Sequence, residues 1–168
     1  MTGRFPHAAR LLIPGIWLGM IIAIDLIEAP LKFQAPGITI PLGLGIGRLV
    51  FTAMNAVEAV LLVVLAIALR RSTTDRVERL LTGGIAAIVV VKLAVLRPML
   101  AARTDAVIAG LDDGGSMTHY FYIAADGVLA VLLVWFVARQ LRRCLPGRGD
   151  AEAGGAAMPP GERVGGGR

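Results

Sequence analysis

Gly47-Arg-Leu-Val-Phe-Thr-Ala-Met-Asn55-Ala-Val-Glu58-Ala-Val-Leu-Leu-Val-Val-Leu-Ala-Ile-Ala-Leu69-Arg70 is the stretch whose reading decides the fold. About 20 consecutive apolar residues in a helix are enough to cross the hydrocarbon layer of a bilayer. This run meets that length, yet it carries an amide and a carboxylate near its centre. A charge at such depth costs roughly 2.5–3.5 kcal/mol on insertion scales unless a partner offsets it. The remainder of the chain therefore has to supply partners.

Working outward, segments 11–29, 80–97 and 117–137 read as three more spans beside the one at 48–69. With 168 residues, 56% hydrophobic content and a mean hydropathy of +0.73, the chain is too apolar for an ordinary soluble domain. The expected fold class is an all-α integral membrane four-helix bundle over 11–143, preceded by a short cytoplasmic N-terminus (1–10). Residues 144–168, rich in glycine, alanine and proline, are expected to form a disordered cytoplasmic tail, because they cannot bury enough surface to offset their ordering entropy.

Within the first span, Gly15, Gly19 and Ala23 make a small-residue face suited to close helix packing. Asp25 and Glu28 fall on another face, with Pro14 near the start of the helix, where proline is best tolerated. The first span is longer than the apolar core of a signal peptide, no small-x-small cleavage site follows it, and it reads as an uncleaved helix. Prolines and glycines between residues 30 and 47 argue for an irregular, interfacial or re-entrant connection in which Gly43, Gly45 and Gly47 let backbone pack closely. Ser72-Thr-Thr-Asp75 offers N-caps for the third span. That span is expected to end at Arg97-Pro98, with residues 101–115 forming an outer loop.

The basic residues divide unevenly. Twelve lie on one side, at the N-terminus, in the loop 70–79 and after residue 138; only Lys32, Arg48, Lys92, Arg97 and Arg103 lie elsewhere. That bias predicts four spans with both termini in the cytoplasm. A net charge of +5 placed beside spans acts as a topology signal and not as a nucleic-acid footprint. Cys144, the one cysteine, excludes an internal disulfide and a thiolate metal cluster.

Orientation turns residue numbers into depth. Glu58, Lys92 and Asp126 are expected near mid-membrane; Asp25, Glu28, Arg48, Asn55, Arg97 and His119 in the outer half; the inner half is expected to be almost wholly apolar. Tyr122 shares a 60° sector with His119 and Asp126. Four acids facing three bases is the near-balance that burial demands. These groups either pair only to fix helix positions or line an outward-open cavity for a proton, ion or small solute. Asp25, Glu28, Arg48 and Arg97 are the candidates for reaching to the interface. No cofactor is expected: the other histidine, His7, falls on the opposite side, so haem ligated by two histidines is excluded. Trp17 and Trp135 read as packing or interfacial aromatics.

At Trp17-Leu-Gly-Met, Glu28-Ala-Pro-Leu-Lys-Phe, Gly47-Arg-Leu-Val-Phe and Leu96-Arg-Pro, followed by Arg103, Gly110, Ser116, His119 and Tyr122, the chain resembles small bacterial four-span membrane proteins distantly similar to the transmembrane protein 205 family. The resemblance covers roughly residues 11 to 140 and implies the same architecture; it carries over no activity and no catalytic residue. Three function classes follow from the residues: a polar intramembrane site for a proton, ion or small solute; an accessory subunit packed against other membrane subunits or a second copy; and an intramembrane enzyme using Glu58, His119 and Asp126. The sequence favours the first and a non-enzymatic role, with the lipid bilayer as the immediate partner.

Overall fold

The computed structural model describes residues 4–70, 74–111 and 117–144; the expected tail lies outside them. Regular structure among the described residues is helical throughout. Helix α1 is α-helical over Arg4–Ile21, π-helical over Ile22–Glu28, α-helical over Ala29–Leu31 and 3₁₀ over Lys32–Gln34. Helix α2 is Ile40–Arg70. Helix α3 comprises Arg76–Val91, a π-helical segment Lys92–Leu96 and Arg97–Ile108, and α4 is Met117–Cys144. All four are long and apolar enough to cross a membrane, and the chain is a multi-pass membrane protein.

The helices run up and down around a square: α1 packs on α2 and α4, and α3 packs on the same two. On α4 the buried positions Tyr122, Asp126, Leu129, Leu133, Phe136 and Gln140 alternate by four and three, the seam of an antiparallel bundle. Trp17, Leu65, Ile85 and Val89 meet that seam as a dry layer. Outward-facing Leu12, Leu49, Val60, Leu80 and Val131 present hydrocarbon to lipid.

Three expected boundaries are corrected. The connection 30–47 is mostly helical: α1 continues to Gln34, and α2 begins at Ile40 with Pro41 in its first turn, where a missing N–H is no loss. Gly43 and Gly47 do take close neighbours, since a Cβ at Gly43 would lie 2.3 Å from Cε1 of Phe33 and one at Gly47 3.0 Å from Nζ of Lys32, whereas Gly45 has open space. Pro98 does not end α3. Arg97 N–H bonds back to Lys92 O, a π-type turn directly before the proline, and the helix continues to Ile108. A bond from Leu111 N–H to Ala106 O (2.9 Å) closes it, with Gly110 at φ +72°. The expected outer loop is thus a helix as far as Ile108; residues 112–116 lie outside the described ones. The same device precedes Pro30, where Ala29 N–H bonds to Ile24 O. Pro14 sits inside α1, because that helix begins at Arg4 and not at residue 11.

The small-residue face of α1 is not a packing face within the bundle. Nothing lies within 4 Å of a Cβ placed on Gly15 or Gly19. Pro14, Trp17 and Ile21 turn inward instead, because the indole and the isoleucine bury far more apolar surface than two glycines can.

Candidate functional site

Asp75 caps α3: its Oδ1 accepts from Glu78 N–H at 2.8 Å. Its Oδ2 accepts from Arg139 and Arg143 of α4. The backbone N–H, followed by the Arg139 hydrogen bond, holds its carboxyl down at about 2. Glu78, one turn further, is fully buried. Its Oε1 accepts from Gln140 Nε2 (2.7 Å) and Arg143 Nη1 (2.5 Å), and Arg10 Nη1 lies 3.7 Å from its Oε2. Three helices are tied together at the end of the bundle where α1 begins and α4 ends. α1 and α3 start earlier than hydropathy suggested, at Arg4 and Arg76, and this brings Arg10 and Glu78 into the interface between helices.

The central cluster is built from all four helices. Lys92, at the first position of the π segment of α3, is fully buried. Its Nζ donates to both oxygens of Glu58 on α2 (2.9 and 2.8 Å) and to Oδ1 of Asp126 on α4. Trp17 Nε1 on α1 donates to Glu58 Oε1 at 3.1 Å. A buried indole N–H needs an acceptor, and Glu58 is the one within reach; Trp17 was missed as a site residue because its sequence context marks only packing. Asp25, in the π segment of α1, comes within hydrogen-bonding reach of Asp126. Asn55 Oδ1 accepts from the Tyr122 hydroxyl at 2.9 Å. Lys92 Nζ lies over the Tyr122 ring, 5.0 Å from its centroid.

The arithmetic of this cluster is one-sided: three carboxyl groups surround one ammonium. Lys92 satisfies Glu58 and one oxygen of Asp126. Oδ2 of Asp25 and Oδ2 of Asp126 are buried and take no hydrogen bond among the described residues. Two carboxyl groups side by side cannot both stay ionised cheaply out of water.

Above the cluster, away from the start of α1 and the end of α4, lies a cavity of about 730 Å³. Asp25 and Tyr122 form its floor; Lys32, Arg48, Arg97 and His119 stand on its walls. Lys32 pairs with Glu28 at 3.2 Å, and Arg48 with Asp105 in an exposed pair. Arg97 Nη2 donates to Thr52 Oγ1 at 2.6 Å. His119 is exposed and stacks edge-on to Tyr120, its ring centroid 6.4 Å away. Of the ten residues singled out from the sequence, Asn55, Glu58, Lys92, Tyr122 and Asp126 meet in the buried cluster. Asp25 joins that cluster to the cavity. Arg48, Arg97 and His119 face the cavity, and Glu28 stands behind Lys32. Among the described residues no group of three or more His, Cys, Asp or Glu side chains is placed to hold a metal ion; the centre of the carboxyl trio is taken by the Lys92 ammonium.

Four helices long and apolar enough to span a membrane, closed around a buried acid-rich cluster, define a helical-bundle membrane protein. No family model, curated protein or solved structure matches the chain.

Proposed function

We propose that the protein holds and exchanges a proton at the Asp25–Asp126 carboxyl pair, through a cavity open to the outer face of a bacterial inner membrane. The observation that carries this reading is the pair of buried carboxyl oxygens without a donor, one of them on a residue that lines the cavity. A proton shared between the two carboxyl groups removes the repulsion and supplies the missing donor. Lys92 already occupies the place a bound cation would take, which favours a proton over a metal ion. The dry layer of Trp17, Leu65, Leu129, Leu133 and Phe136 closes the site toward the termini end, so the cavity side is the side of access. The uneven distribution of arginines supports placing that side outside.

Infrared difference spectroscopy on the protein in liposomes tests this. A protonated-carboxyl band should respond to external pH in the wild type and vanish in Asp126→Asn, with the helical content preserved. A wild type without such a band would end the reading.

A second reading, an accessory subunit, is favoured by the open face at Gly15 and Gly19. Extraction in mild detergent should then recover the chain with a constant partner.

A further inference from the structure

We infer that the cavity is a binding site for a single-tailed anionic amphiphile, a carboxylate or phosphate head carried on one acyl chain. This rests on the reading of the cavity as the access side of the site, and it names what that access admits.

Arg97 carries the argument for charge. It donates to the Thr52 hydroxyl and, among the described residues, forms no ion pair, although it projects from a membrane-spanning helix into a largely apolar space. A guanidinium at that depth is costly unless it meets an anion, and its planar fork matches a carboxylate or phosphate. Arg48 stands on the same cavity wall, its side chain 48% exposed beside the Asp105 pair. Lys32 adds a third cation, seated 5.7 and 5.5 Å from the ring centroids of Phe33 and Phe51. Lys32 is paired with Glu28 and Arg48 with Asp105, which leaves Arg97 as the cation without a carboxylate partner among the described residues; the carboxylate on the lining itself is Asp25, at the floor.

The walls carry the argument for the tail. Leu26, Phe33, Leu44, Leu49, Leu100 and Ile123 line the cavity. Leu26 and Leu49 are also among the most exposed side chains of the bundle, at 69% and 71%, so the lining is continuous with the surface that meets acyl chains. The volume of about 730 Å³ lies within the usual range for a small-molecule pocket. A hydrophilic anion would leave that apolar lining wet, and an uncharged lipid would leave Arg97 without its counter-charge. A head at Arg97 and Arg48 with a tail along Leu26 and Leu49 satisfies both.

Equilibrium binding of radiolabelled dodecanoate to the full chain in nanodiscs of uncharged lipid tests the inference. Saturable binding should appear and should exceed that of dodecanol by about tenfold, the difference one charge-assisted hydrogen-bonded contact makes. Arg97→Gln should weaken dodecanoate binding by a similar factor, and the comparison with dodecanol needs no variant if that substitution fails to fold. Competition separates the sources of the head: lysophosphatidylglycerol displacing dodecanoate identifies a lipid phosphate, and failure to displace it identifies a free fatty acid. Inorganic phosphate binding as tightly as either, equal binding of dodecanol, or no saturable binding in the wild type would overturn the inference. A pH-responsive carboxyl band without amphiphile binding sinks the inference alone, whereas amphiphile binding without that band sinks the proton reading alone.

Discussion

Glu58 and Glu78 are both fully buried carboxylates, one in the central cluster and one at the end of the bundle, and their surroundings differ in the sign of the imbalance. Around Glu78 the cations prevail: Arg10, Arg139 and Arg143 face Asp75 and Glu78. Arg143 is 42% exposed, so its excess charge reaches water. Around Glu58 the acids prevail, with Lys92 alone among three carboxyl groups and no exposed cation beside it. An excess of arginine at the end of a bundle is dispersed by solvent and fastens the helices. An excess of acid at the middle has no such outlet, and there burial itself works against full ionisation of the three carboxyl groups.

Lys92→Met is the strongest way to break that contrast. It strands Glu58 and Asp126 without a counter-ion, and the expected loss of stability is about 3–5 kcal/mol in denaturant unfolding of the detergent-solubilised protein. Glu78→Gln should cost less, about 1–3 kcal/mol, because the amide still accepts from Gln140 and Arg143 can turn to Asp75 or to water. Should Glu78→Gln prove the more damaging, the central cluster would be the ordinary ion pair and the terminal one the demanding site.

Asp75 sharpens the comparison with a smaller effect. Its carboxyl sits at about 2 in the folded protein against 3.8 when unperturbed. The folded form therefore gains from its ionisation above pH 3.8, and the gain is lost as pH falls toward 2. Thermal unfolding of the wild type should weaken across that acid window. Asp75→Asn should flatten the dependence there, while the amide oxygen still caps α3.

The span count and the meeting of Glu58 with Lys92 and Asp126 were legible because hydropathy locates helices and register along a span gives depth. The termini-end cluster was hidden by the same rule: Arg10 and Glu78 stand outside the most apolar windows, and a hydropathy profile assigns such residues to loops. Trp17 was illegible as a site residue, since nothing local distinguishes an indole packed on leucine from one that donates to a carboxylate on another helix. Pro98 misled for a different reason. Proline usually ends a helix, but the preceding residue can bond five positions back and let the turn absorb the missing donor.

Those π-helical segments have a consequence for anyone who surveys this chain by substitution. Each wide turn accommodates one residue beyond the α-helical repeat, so every position after it is carried round the axis by about 100° relative to a uniform wheel. On α1 and α3 the tolerated and intolerant positions should keep time as far as Ile21 and Val91, slip by one, and resume the beat beyond Glu28 and Leu96.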